Sequence, residues 1–279
     1  MANWLLGVLL GVIQGISEWL PISSKTQIII ASTFLFGLDF QNAYSLGLFL
    51  EAGTFLAALF YFRDEVFKVL KALVGRGDEE GKALLKFLLV ATVITGFLGV
   101  GIYLVVSEST TSPVIGIPMI LLGVVLLADA ALIRFARDRR VPTKGIVDLT
   151  LLDDILIGLA QGLSALPGVS RSGTTVSAML LLGVKPEESF RLSFLALIPA
   201  SVGAALVAVL FSHGGLGSVV ATVSAPVIVV AIVTASLVSL LLIRVLLRFA
   251  ASSRISILVL VLGLIAIFSG ITSLLSGFG

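Results

Sequence analysis

The chain has 279 residues, of which 58% are hydrophobic and only 12% charged, with a formal net charge of +2. Soluble domains carry about 25% charged residues, so a water-soluble globule is excluded, and the small net charge gives no reason to expect a nucleic-acid partner. No cysteine is present, which excludes disulfides and thiolate metal sites.

In chain order, the first apolar region, 4–36, is broken in its middle by QGISEWLPISSKTQ, Gln14 to Gln27. Each half holds only ~10–15 residues, whereas a bilayer-crossing helix needs ~20. The start lacks a basic n-region, so a cleavable signal peptide is not expected. Runs at 41–62, 84–106 and 114–134 are long enough to cross. The region 150–184 is broken again, by QGLSALPGVSRSGTT, Gln161 to Thr175. Runs at 190–211, 219–243 and 255–276 bring the expected spans to six. Lipid does not tolerate exposed irregular backbone, so both broken regions read as re-entrant helix–loop–helix segments buried by the spans. The fold class is therefore an all-α integral membrane protein.

Basic residues orient it. Arg63 to Lys86 holds six Lys/Arg and Arg134 to Lys144 holds five, while the loops at 107–112 and 212–218 hold none. With basic loops on the cytoplasmic side, loops 63–83 and 135–149 lie inside and both termini outside. The basic loops also suit anionic lipid. A shift of 147 residues places Gly11, Gln14, Gly15, Ser17 and Ser23 on Gly158, Gln161, Gly162, Ser164 and Ser170. Three spans separate the copies, so the copies enter from opposite faces. Residues 1–140 and 141–279 are then two inverted repeats of one membrane domain.

The two elbows carry the candidate chemistry. In the second, Gly168, Ser170, Arg171, Ser172, Gly173, Thr174 and Thr175 combine tight-turn glycines, hydroxyls and a guanidinium. With a helix restarting near Ser172 or Gly173, they make an anion site. Arginine matches phosphate because its fork bonds two oxygens at once, and an intramembrane charge points to function. In the first, Gln14 and Glu18 share a helix face with Gly11 and Gly15, where another backbone can approach. Ser23, Ser24, Lys25 and Thr26 follow. Glu18 is open to three roles: general base, metal ligand or counter-ion of Arg171. Lys25 either binds phosphate or snorkels to the interface. Glu51, inside a nearly uncharged span, joins the site or neutralises Lys25. Asp129 is expected to pair with Arg134, and His213, the only histidine, to sit in a solvated loop.

These elbows resemble the two signature motifs of the undecaprenyl-pyrophosphate phosphatase family, the bacitracin-resistance phosphatases. The first motif, (E/Q)xxxE followed by PxSS, stands at Gln14 to Glu18 and Pro21 to Ser24. The second, PGxSRSGxT, is complete from Pro167 to Thr175. The resemblance covers essentially the whole chain. It implies a phosphatase of the plasma membrane that removes the terminal phosphate of a polyprenyl pyrophosphate, of undecaprenyl or dolichol type, with a divalent cation such as Mg²⁺ or Ca²⁺. It implicates Glu18, Ser24, Ser170, Arg171, Ser172 and Thr175. The chain departs from the pattern at Gln27, where the family has histidine, and at Thr26, where it has glycine, as in an archaeal-like variant. The residues thus assigned to catalysis are Glu18, Ser24 and Arg171, with Glu18 also the candidate metal ligand. Gln14, Ser23, Lys25, Gln27, Gly168, Ser170, Ser172, Gly173, Thr174 and Thr175 are assigned to the head group. The alternative is a polyprenyl-phosphate transporter of the same fold. Oligomeric state is open, a homodimer among the options.

Overall fold

The computed structural model describes residues 4–109, 116–138, 143–166, 168–211, 215–250 and 255–275. Among them there is no β-strand, only one isolated bridge between Lys144 and Val184. The helices are α1 (Trp4–Ser17), α2 (Ser24–Phe36), α3 (Phe40–Tyr61), α4 (Arg63–Leu73), α5 (Glu79–Ser109), α6 (Gly116–Asp138), α7 (Leu151–Gly162), α8 (Arg171–Leu181), α9 (Pro186–Phe211), α10 (Gly215–Val223), α11 (Ala225–Ala250) and α12 (Ile255–Leu275). Short 3₁₀ turns, Ile146–Asp148 and Leu163–Ala165, flank α7.

Local chemistry sets the ends. Asp39 caps α3 by accepting from the Asn42 amide, and Thr150 and Asp153 close a reciprocal capping box on α7. Burial alone would raise the Asp153 carboxyl, but hydrogen bonds from Thr150 and Lys144 hold it below the usual range. The expected run 219–243 is not one helix. It breaks at Ser224, which sits at φ +69 between α10 and α11. Pro226 is the cause: it lacks an N–H and its ring clashes with the carbonyl four residues back. The basic segment 63–83, expected as a loop, contains α4. Arg191 on α9 pairs with Glu65 of α4, Glu80 of α5 and Glu188, and Lys68 also pairs with Glu80. This network ties α4 to the starts of α5 and α9.

Among the described residues, four helical segments are long and apolar enough to cross a membrane: Asn42–Tyr61, Glu79–Val105, Pro186–Val207 and Ala225–Val245. The chain is an all-helical membrane protein. Its outer faces are greasy, with Leu5, Phe97, Leu210, Leu241 and Phe268 all largely exposed. Its interior is richer in Ser, Thr and Gly. That distribution suits lipid, where helices gain more from close packing than from hiding apolar surface.

The packing brings distant elements together. α1 lies on α11, α7 on α5, α6 on α12, and α3 contacts both α9 and α11. Glycines permit the closest approaches. A Cβ on Gly11 would stand 2.5 Å from the Ala231 carbonyl oxygen of α11, and one on Gly158 would stand 3.0 Å from the Ala91 Cα of α5. Gly123 and Gly263 meet in the same way where α6 crosses α12. The buried core beside the elbows is aromatic: Trp19 stacks at a tilt on Phe194, ring centroids 5.0 Å apart, and Phe190 follows at 6.4 Å. Glu18 and Ser193 are the immediate neighbours of Trp19 and Phe194, so this stack fixes two segments that flank the site. The side chain of Asp129 and all of His213 lie outside the described residues.

Candidate active site

The first elbow runs from Glu18 to Ser23. Glu18 N–H still bonds the Gln14 carbonyl, Leu20 N–H bonds Ser17 O and Ile22 N–H bonds Leu20 O, so the chain leaves α1 through tightening turns. Ser23 then takes a left-handed conformation, φ 56, immediately before α2. For a residue with a Cβ this is a strained position. In the second elbow the left-handed residue is Gly168, φ +95, where glycine removes the Cβ penalty. The helix restarts at Arg171, one or two residues earlier than the expected Ser172 or Gly173, because Ser170 is the N-cap and its Oγ accepts from the Gly173 amide at 3.2 Å. Pro167 lies outside the described residues.

The elbows meet. Ser172 Oγ donates to the Leu20 carbonyl at 3.2 Å, and Ser170 and Ser172 hydroxyls stand 3.3 Å apart. Arg171 reaches across from α8 and donates from one guanidinium nitrogen to Glu18 Oε1 at 2.8 Å and from the other to the Ser193 carbonyl at 2.9 Å. Glu18 Oε2 accepts from Gln14 Nε2 at 2.9 Å and from Ser24 Oγ at 2.5 Å. The carboxylate thus takes three donors from α1, α2 and α8. Lys25 does not snorkel: it is 8% exposed and pairs with Glu51 at 3.3 Å. Glu51 also accepts from Ser201 Oγ at 3.4 Å.

Two cavities share this cluster. A small polar one, a cavity of about 10 Å³, is lined by Glu18, Ser23, Ser24, Lys25, Ser170 and Ser172 among others, with Arg171 on its wall. A larger, mainly apolar cleft of about 140 Å³ runs between α3, α5, α7 and α9. Lys25 and Arg171 line both. Glycines 96, 99 and 203 leave room for the cleft, and Tyr44, whose hydroxyl donates to the Ala165 carbonyl at 2.7 Å, forms part of its wall.

Not every expected site residue faces these spaces. Gln14 supports Glu18 from outside the small cavity. Gln27 is partly exposed and donates to the Ile22 carbonyl at 3.2 Å, bracing the first elbow rather than lining the small cavity. Thr174 Oγ1 bonds back to Ser170 and Arg171 carbonyls. Thr175 Oγ1 bonds the Arg171 carbonyl and the Ser193 hydroxyl at 2.6 Å. Gly173 is buried in α8, its amide taken by the cap. These three serve the helix that presents Arg171. Conversely, the Ser193 carbonyl, Tyr44 and Ser201 carry no motif that would single them out. Gln161 borders the large cleft, and its position as the repeat counterpart of Gln14 was its one signal. Among the described residues, no group of three His, Cys, Asp or Glu side chains stands together as a metal site. Buried Gln14 Oε1, however, lacks a hydrogen-bond partner.

Two elbows that meet over a buried carboxylate, hydroxyl and guanidinium define a class of helical membrane protein built around a small polar chamber. Within that class, the chain belongs to the family described as bacitracin resistance protein BacA, whose model matches residues 7–268. It is 54% identical over 270 residues to the undecaprenyl-diphosphatase of Saccharolobus solfataricus, covering 96% of each chain. It is 42% identical over 271 residues to that of Sulfurisphaera tokodaii, covering 96% of this chain and 97% of the relative. It is 42% identical over 274 residues to that of Pyrobaculum islandicum, covering 98% of each. These archaeal relatives agree with the expectation of an archaeal-like variant of the family.

Proposed function

We propose that the protein is a membrane phosphatase that hydrolyses a polyprenyl pyrophosphate to the monophosphate and inorganic phosphate. The observation that carries this is the Ser24–Glu18–Arg171 constellation at the wall of the small polar cavity, in a chain whose relatives bear the name undecaprenyl-diphosphatase. The two cavities suit the two halves of such a lipid. The hydroxyls and cations of the small chamber match the terminal phosphate in chemistry, and the apolar cleft matches the first prenyl units, with Arg171 and Lys25 at the junction where the bridging oxygen would lie.

In this reading Ser24 Oγ attacks the terminal phosphorus while Glu18 takes its proton. The P–O bond to the bridging oxygen breaks and the lipid monophosphate leaves. Glu18 passes that proton to the departing monophosphate; water then cleaves the phosphoserine, its proton passing through Glu18 to Ser24 Oγ as inorganic phosphate leaves. Arg171 stabilises charge on the equatorial oxygens. The amides of Val169 and Gly173 are already bonded, to Leu166 O and Ser170 Oγ. The backbone part of the anion site therefore narrows, from the expected 168–173, toward the first turn of α8 at Arg171 and Ser172. The Glu18 carboxylate, which lines the small cavity, is an oxygen donor of the kind a hard divalent cation accepts, the rest of its shell coming from substrate and water. Bound there, such a cation would neutralise pyrophosphate charge.

The same reading places six spans and two re-entrant pairs in the membrane, as two inverted repeats with a boundary near residue 140 and both termini outside. The packing supports it through paired correspondences. α1 on α11 is matched by α7 on α5, α3 with α11 by α9 with α5, and α6 meets its own counterpart α12. Gly11 and Gly158, equivalent under the shift, both seat backbone against backbone.

The test is phosphate release by the purified protein from a polyprenyl pyrophosphate with Mg²⁺ or Ca²⁺ present. Release that disappears in Ser24→Ala is the expected result. No release from the wild-type protein with any chain length or cation would favour the transporter.

A further inference from the structure

Four buried charges meet at the elbows: Glu18 with Arg171 at 2.8 Å and Lys25 with Glu51 at 3.3 Å. None is more than 8% exposed. Two carboxylates and two cations sum to zero, whereas a phosphate ester brings about −1.5 to −2 at neutral pH. An incoming anion therefore has to draw a cation away from its present partner.

The two cations are not equally held. Arg171 is fixed on two sides, by Glu18 and by the Ser193 carbonyl at 2.9 Å. Lys25 makes one long hydrogen bond, to Glu51, from a flexible four-carbon stem. Lys25 borders both cavities, but Glu51 borders only the large cleft. Ser201, on α9, holds the other Glu51 oxygen on that side.

We infer that Glu51 is a positioning residue that competes with phosphate for Lys25 and thereby governs product release. The inference rests on the reading of the small cavity as a phosphate site. When the head group enters, Lys25 Nζ turns from Glu51 to the phosphate oxygens within the small cavity. When phosphate is to leave, Glu51 takes Lys25 back, the site returns to neutrality, and the anion loses one of its two cations. Glu51 thus trades substrate affinity for turnover, and its contact with Lys25 matters because it is loose.

The experiment uses the full-length protein in detergent, with inorganic phosphate and inorganic pyrophosphate as calorimetric ligands and polyprenyl pyrophosphate as the turnover substrate. Glu51→Gln keeps the shape and removes the competing charge. Phosphate should bind about tenfold more tightly, on the scale of one close charge pair, with KM and kcat both reduced. Ser201→Ala, a milder change that loosens Glu51, should shift phosphate binding in the same direction by a smaller factor. The neutral double variant Lys25→Met with Glu51→Gln should bind phosphate more weakly than wild type, because the tightening acts through Lys25. Unchanged or weaker phosphate binding in Glu51→Gln overturns the inference, as does a double variant that binds as tightly as Glu51→Gln alone. Should Glu51→Gln fail to fold, absence of tightening in Ser201→Ala overturns it instead. A wild-type protein that binds neither anion and releases no phosphate overturns the phosphatase reading and this inference together, whereas wild-type binding with an unaffected Glu51→Gln overturns this inference alone.

Discussion

Glu18 accepts from Gln14, Ser24 and Arg171 at once, and it is the residue on which the proposed chemistry turns. Glu18→Gln keeps the volume but removes the proton acceptor, so phosphate release should fall by about 10²–10⁴-fold. More than a tenth of wild-type release would sink its role as base. Arg171→Lys keeps the charge and loses the fork, and lysine has no planar pair of donors to reach Glu18 and the Ser193 carbonyl together. Turnover should drop at least ~10-fold, about 1.4 kcal/mol; an unchanged rate would reduce Arg171 to an ion-pair role. Gln27 stands where the family has histidine, yet its amide braces the Ile22 carbonyl and is partly exposed. Gln27→Ala should therefore cost about 0.5–1.5 kcal/mol of stability, the worth of one hydrogen bond, and little turnover. A large loss of release at unchanged melting temperature would contradict that.

At the scale of elements, the elbows work because long helices back them. Gly11 and Gly158 let α1 and α7 press onto α11 and α5, and their neighbours across the contact include backbone atoms that cannot rotate away. Gly11→Ala should push α1 off α11 at a cost of about 1–3 kcal/mol, lowering the melting temperature in detergent and displacing Glu18 with it. Gly101 is the control: it is also helical, but a Cβ added there would meet nothing within 4 Å. Gly101→Ala should be neutral or stabilise by up to about 1 kcal/mol. Equal effects at both positions would remove the close-packing argument. Ser224 and Pro226 act oppositely: they end one helix and start another where an uninterrupted apolar run gave no hint except the proline itself.

For the whole molecule, the proposed inverted topology places the segment after α4 and the end of α5 on opposite faces of the membrane. The chain has no cysteine, so single cysteines report cleanly. Arg76→Cys and Ser109→Cys should label from opposite sides in sealed vesicles. Arg76 is exposed, whereas a side chain at neighbouring Gly77 would meet the Ala72 backbone at 2.5 Å. Labelling from the same side would end the inverted-repeat reading. The two proposed repeats are also unequal in a useful way. Under the shift of 147, Glu18 corresponds to Ala165 and Arg171 to Ser24. One repeat therefore supplies the carboxylate and the hydroxyl and the other supplies the guanidinium. The large cleft lies beside Ala165 and is lined by residues of both halves.

The sequence by itself determined the solvent, the helical class and the two breaks. Composition excludes water as the surroundings, and proline, glycine and serine interrupt a helix wherever they cluster, because those effects act through a residue and its neighbours. It also named Glu18, Ser24 and Arg171, through motifs at fixed spacing. Which charges pair was left open, and only the tertiary structure decided it. Glu18 meets Arg171 across 153 residues and Lys25 meets Glu51 across 26, contacts fixed by how α1, α2, α3 and α8 cross. The same holds for Gln27, Thr174 and Thr175, whose motif positions suggested the head group but whose side chains turn to backbone carbonyls. A motif records which residues share a segment. Where each side chain points follows from helix phase and from the neighbours packed against it, and those come from parts of the chain far away in sequence.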